Sequence, residues 1–218
     1  MSYLVETESF GRKEFKIDMS RFATDLAKAL AVLLAPTKVK LLPPGEYAHE
    51  NQSIQVGNDV LDIRADNWKK KVNAHINAPD VAWGDRNTYN KAHRTESASV
   101  NPNGRGIDAI AKDLNKRVIV ASQEALAQQR AYKAQNVAAK AEIVRLAAVL
   151  KAKVPGLDIR VNEAEKRATI YSGSTGHYVS GMLSADGTVG LDRIGSMKLE
   201  TFAKIVALLA KEEKGNQE

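Results

Sequence analysis

Residues 53–77 read SIQVGNDVLDIRADNWKKKVNAHIN, and this stretch decides the fold class. Its apolar positions recur every second residue, the period of a half-buried strand rather than of a helix face. Residues 53–56 and 60–65 flank Gly57-Asn58-Asp59, which tolerate positive φ, so the segment predicts a β-hairpin. Over residues 68–77, Trp68, Val72, Ala74 and Ile76 share one face, while Lys69, Lys71, Asn73, His75 and Asn77 share the other. The expectation is a strand with an apolar back and a basic, polar front.

Upstream, Phe22, Leu26, Ala29, Leu30 and Leu33 recur at helical spacing over residues 20–34, with Ser20 as the expected cap and Pro36 as the stop. A short strand is predicted over residues 37–42, closed by Pro43-Pro44-Gly45. Downstream, periodicity lapses from residue 78 to 106, where Pro79, Gly84, Pro102, Gly104 and Gly106 punctuate a long polar loop. Loops of this length inside a compact domain are mostly functional or disordered.

Helical spacing returns at Ile107, Ile110, Leu114 and Val118, and Ser122 is the expected cap of a long helix reaching about residue 153. At about 1.5 Å per residue that helix is roughly 45 Å long. Its Ala- and Gln-rich half, residues 123–136, is expected to protrude or to pack on a partner. After Pro155-Gly156, four short alternating segments at 157–161, 167–171, 177–183 and 188–194 predict an antiparallel meander. Leu199, Phe202, Ile205, Val206 and Leu209 predict a closing helix over residues 197–212.

The fold class is therefore α+β: an N-terminal helix and small β-hairpin module in residues 1–106, a helical connector with the long central helix in 107–155, and a C-terminal four-stranded antiparallel meander capped by a helix in 156–218. The C-terminal order of helix, sheet and helix resembles the topology of a double-stranded-RNA-binding domain. It has four strands where that module has three, and only Lys198 and Lys204 stand where the module has its basic motif, so a structural or protein-binding sheet is the better reading.

Composition narrows the function. The 218 residues are 44% hydrophobic, enough for a core, and contain no cysteine, which excludes thiolate catalysis, disulfides and cysteine-ligated zinc. No run of about 18 apolar residues and no signal-like start occur, so a cytoplasmic protein without membrane association is expected. The net charge of +6 is unevenly spread: residues 64–150 hold 15 cations against 8 carboxylates, whereas residues 1–63 hold 7 against 9 and residues 151–218 hold 10 against 9. A basic middle points to a polyanionic partner.

Single-stranded nucleic acid is held by a cationic groove together with aromatic rings on which bases stack. The residues offering both are Lys69, Lys70, Lys71, His75, Trp83, Arg86, Tyr89, Lys91, Arg94 and Arg105. The competing explanation makes Trp68 and Trp83 core anchors and the cations a solvated face. The expected function is a non-enzymatic nucleic-acid-associated accessory protein, binding the phosphate backbone of a single strand or a duplex, or a nucleoprotein complex. The alternative is a protein-binding inhibitor or adaptor, of the kind phages and mobile elements encode, with a protein partner or self-association through the 123–153 helix. The histidines, His49, His75, His93 and His177, carry no metal-binding spacing, and the glycine-rich turns lack a Walker pattern, so no metal or cofactor is expected. An acid–base group made of His75 and His93 with Asp80 or Asp85 is the one catalytic arrangement worth testing against the fold.

Overall fold

The alternation of residues 53–77 becomes the middle of a five-stranded antiparallel sheet. The structure, a computed structural model, describes residues 2–9, 12–45, 50–87, 89–154, 156–174 and 177–194. The sheet runs in the order β3 (Val39–Leu41), β4 (Asn51–Val56), β5 (Asp59–Asp66), β6 (Lys71–Asn77), β7 (Ser97–Val100), each strand antiparallel to the next. It is thus wider than a hairpin, because β7 forms inside the 78–106 segment and adds an edge. A second hairpin, β1 (Leu4–Ser9) with β2 (Arg12–Ile17), precedes α1 (Met19–Leu33). The fold is α+β, in two compact units, residues 1–133 and 134–218.

In the first unit the apolar face of the sheet, Ile54, Leu61, Ile63, Val72 and Ile76, is covered by Phe22, Leu26 and Leu30 of α1 and by Ile110 and Leu114 of α2 (Ile107–Leu114). Each such side chain contributes about 1.5–3 kcal/mol when fully buried. α1 begins a residue earlier than the spacing predicted, and its cap is Asp18, not Ser20: the Asp18 carboxylate accepts the Arg21 N–H at 3.0 Å.

Two further expectations are corrected. Trp68 is not on the buried face of β6, which starts only at Lys71; it sits in the β5–β6 turn and is 92% exposed. Asp66 folds that turn by accepting the Lys69 N–H at 3.0 Å, and Asn67 Oδ1 accepts the Ile17 N–H at 3.0 Å, so local side-chain bonds override the alternation. The early part of α3 (Gln123–Lys153) does not protrude. After a π-helical turn at Asn115–Val120, Ala125, Leu126 and Gln129 are buried in the first unit. Ser122 precedes α3 as expected, with its carbonyl accepting the Leu126 N–H, but its hydroxyl accepts the Glu96 N–H at 2.8 Å and so ties the helix start to β7's approach.

The second unit takes the rest of α3 and the meander β8 (Asp158–Asn162), β9 (Arg167–Ser174), β10 (His177–Ser184) and β11 (Val189–Ile194), in the order β11-β10-β9-β8. Ile143 and Ala147 pack against Ala168, Ile170 and Leu183. Gly181 lies where β10 meets β11 at a register shift; a Cβ there would come within 2.5 Å of the Gly190 carbonyl. The closing helix expected over residues 197–212 lies outside the described residues, as does His49.

Candidate functional site

The sheet has a second face, turned away from α1 and α2, and it is polar. Two rows cross it in register: Ser53, Asp62, His75 and Ser97, then Asn51, Arg64, Asn73 and Ser99. Because side chains alternate, every outward position of β6 is polar: Lys71, Asn73, His75 and Asn77. β7 pairs only with Val72–His75, so the Asn77 end of β6 is left to the loop that follows.

That loop is ordered by Arg86. Its guanidinium donates from Nε to the Val81 carbonyl at 3.1 Å, from Nη1 to Asn77 Oδ1 at 3.0 Å and from Nη2 to the Ala78 carbonyl at 3.5 Å, and it lies 5.6 Å from the Trp83 ring centre. The Arg86 carbonyl meets His93 Nδ1 at 3.2 Å; a carbonyl only accepts, so Nδ1 carries the proton. The His93 ring packs edge-on to Tyr132 at 5.6 Å, and Gln129 Nε2 donates to the His93 carbonyl at 2.6 Å. His93 and Gln129 are buried, while Trp83 is 75% and Tyr89 95% exposed.

Between the polar face and this loop lies a groove of about 610 Å³. Asn73, His75 and Asn77 line it from β6; Trp83, Arg86, Tyr89, His93 and Arg94 line it from the loop; Gln129 lines it from α3. Of the residues singled out in the sequence, His75, Trp83, Arg86, Tyr89 and Arg94 meet here. Lys71 follows on the same face of β6, two residues beyond Asn73. Lys69 and Lys70 occupy the turn, Lys69 Nζ 3.8 Å from Asp66 and Lys70 donating to the Phe15 carbonyl. Lys91 is exposed in the short 3-10 turn Lys91–His93. Arg105 does not join the groove; it pairs with Asp113 at 3.7 Å, which also holds Arg117 at 3.2 Å.

Two carboxylates near the groove, Asp62 and Asp80, are already engaged. Asp62 accepts the Ser53 hydroxyl at 2.5 Å and the Asn77 amide, and its Oδ2 is 3.6 Å from His75 Nε2. Asp80 holds Arg130 at 3.2 Å, and Asp85 is not among the groove's lining residues. Arg64 and Lys71 are exposed on the same face and carry no ion pair among the described residues. Arg64 and Lys71 are therefore cations of this face without carboxylate partners among the described residues.

Asn73 and Asn77 line the groove from the polar front that the sequence predicts, whereas Arg64 and Gln129 are not among the expected site residues. The hairpin register around Gly57 puts Arg64 outward beside Asn73, a signal present in the sequence; the arrival of Gln129 from α3 has no local signature. Both tryptophans are exposed, so neither is a core anchor. Along α3 in the second unit, Val137, Val144 and Val149 are exposed apolar side chains. Among the described residues no group of three His, Asp or Glu side chains is placed to hold a metal ion, and no helix is long and apolar enough to cross a membrane. No protein-family model, curated protein or solved structure matches the chain.

Proposed function

We propose that the protein is a non-enzymatic, nucleic-acid-associated accessory protein that holds the phosphate backbone against the polar face of β6 and stacks bases on Trp83 and Tyr89. The observation that carries this reading is one groove uniting exposed aromatic rings with Arg94 and His75, beside exposed, unpaired Arg64 and Lys71. Rings in contact with water offer stacking faces, and Arg64 and Lys71, without carboxylate partners among the described residues, are available to phosphate. Arg86 belongs to the scaffold, since its donors are directed at the protein's own carbonyls and Asn77. The proposed compartment is the cytoplasm, which suits a chain without cysteine.

Fluorescence anisotropy of labelled single-stranded and duplex oligonucleotides across a salt series tests the reading. Counterion release makes log K fall linearly with log salt, by about 0.7 for each phosphate neutralised on a single strand. Absent or salt-insensitive binding contradicts it. A second reading, acid–base chemistry on a bound strand, draws on His75 and His93 sharing the groove with Asp62 behind His75. Cleavage of a bound oligonucleotide that His75→Ala abolishes would favour it. A stoichiometric protein partner that survives nuclease treatment would instead favour an adaptor docking through the exposed valines of α3.

A further inference from the structure

Among the described residues of the first unit, the groove is one of two stations that combine aromatic and basic side chains. The second is at the opposite end of β6, where Trp68, Phe15, Lys13, Glu14, Lys16 and Lys70 line a hollow of about 470 Å³, Lys13 being paired with Glu6 at 2.6 Å. Trp68 is 92% and Phe15 49% exposed, and Lys16 is exposed without an ion pair among the described residues. Lys70 donates to the Phe15 carbonyl, which fixes β2 beside the Trp68 turn.

The two stations lie at either end of the outward polar row of β6. Asn77, His75 and Asn73 line the groove, Lys71 is the next outward residue of β6, and the Trp68 turn adjoins it. Six residues of strand at about 3.3 Å each separate Asn77 from Lys71 by roughly 20 Å. Arg64 stands directly across from Asn73 on β5. The acidic side chains of β5 on this face, Asp62 and Asp66, are held by Ser53, Asn77 and Lys69, while Glu14 at the second station is exposed.

The geometry points to a single track, resting on the nucleic-acid reading above, on which an unpaired strand lies along β6 with bases stacked at Trp83 and Tyr89 at one end and at Trp68 at the other, its phosphates between them on Arg64 and Lys71. A span of this length corresponds to about four or more nucleotides, the lower end of the sites single domains offer to a strand. A duplex keeps its ring faces inside its own stack and cannot engage either station.

The chain has two tryptophans, so Trp68→Phe leaves Trp83 as sole reporter and Trp83→Phe leaves Trp68. Both rings are exposed, so circular dichroism of either variant matches the parent. Each full-length variant is titrated with oligothymidylate and oligouridylate of two and eight nucleotides and with an eight-base-pair duplex. The track predicts that the octamer quenches both reporters at one midpoint, that the dinucleotide binds about tenfold or more weakly, and that Arg64→Gln with Lys71→Gln weakens the octamer by about tenfold. The deoxy and ribo arms identify which strand is preferred. Quenching of Trp83 with an unchanged Trp68 overturns the track and leaves the groove reading standing. Equal binding of the duplex overturns the single-strand assignment, and failure of every oligonucleotide to bind overturns the nucleic-acid reading itself.

Discussion

Arg86 directs its guanidinium inward, to the Val81 and Ala78 carbonyls and to Asn77 Oδ1, and so shapes the groove instead of competing for its occupant. Arg86→Ala leaves these acceptors without their donor and is expected to cost about 1–3 kcal/mol, with faster hydrogen exchange of the amides over residues 81–93. Arg86→Lys does not restore the loop, because an ammonium cannot reproduce the planar fork; full recovery by lysine would contradict this role. Trp83 is the opposite kind of residue. At 75% exposure its truncation to alanine changes stability by no more than about 0.5 kcal/mol. The same change weakens single-strand binding by about 1–3 kcal/mol, read as the ratio of dissociation constants.

At the scale of elements, the first turns of α3 are clamped to the start of β5 and to the loop after β6. Arg130 Nη2 bonds Asp59 Oδ1 at 2.5 Å, Nε bonds Asp80 at 3.2 Å, and Lys133 reaches the Asp80 carbonyl. Asp59 is buried, so Arg130→Ala strands a carboxylate; partial exposure of the guanidinium reduces the cost to about 2 kcal/mol, checked by denaturant midpoint. A shift within a few tenths of a kcal/mol would show the clamp to be ornamental. This clamp also marks the limit of what the chain discloses. Val72, Ala74 and Ile76 announce β6 by alternation, and the meander of the second unit is legible in the same way. Trp68 misled because the Asp66 and Asn67 side chains end the pattern by bonding to backbone. β7 hid because Ser97–Val100 gives two alternations, and β1 and β2 hid because their apolar positions are few. The aromatic and cationic ingredients of the groove were legible; their meeting was not, since it depends on Arg86 folding the loop back on β6 and on Gln129 arriving from α3.

At the scale of the whole molecule, net charge is a poor guide to where an anion binds. Residues 1–133 hold 20 cations against 16 carboxylates and residues 134–218 hold 12 against 10, a modest difference between the units. What distinguishes the outer face of the five-stranded sheet is pairing: Asp62 and Asp66 accept hydrogen bonds from their neighbours, while Arg64 and Lys71 carry no ion pair among the described residues. Local geometry thus turns a weakly basic unit into a basic track flanked by exposed rings. The central claim is that the outer face of the five-stranded sheet receives the strand, with this groove as its principal site. The most direct measurement is the amide and indole NMR spectrum of the ¹⁵N-labelled full chain titrated with a single-stranded octamer. The account predicts shifts concentrated on Asn73, His75, Asn77, Trp83, Tyr89 and Arg94, with the Trp83 indole moving among the first. Shifts confined to residues 134–194, or a spectrum that does not move, would contradict it.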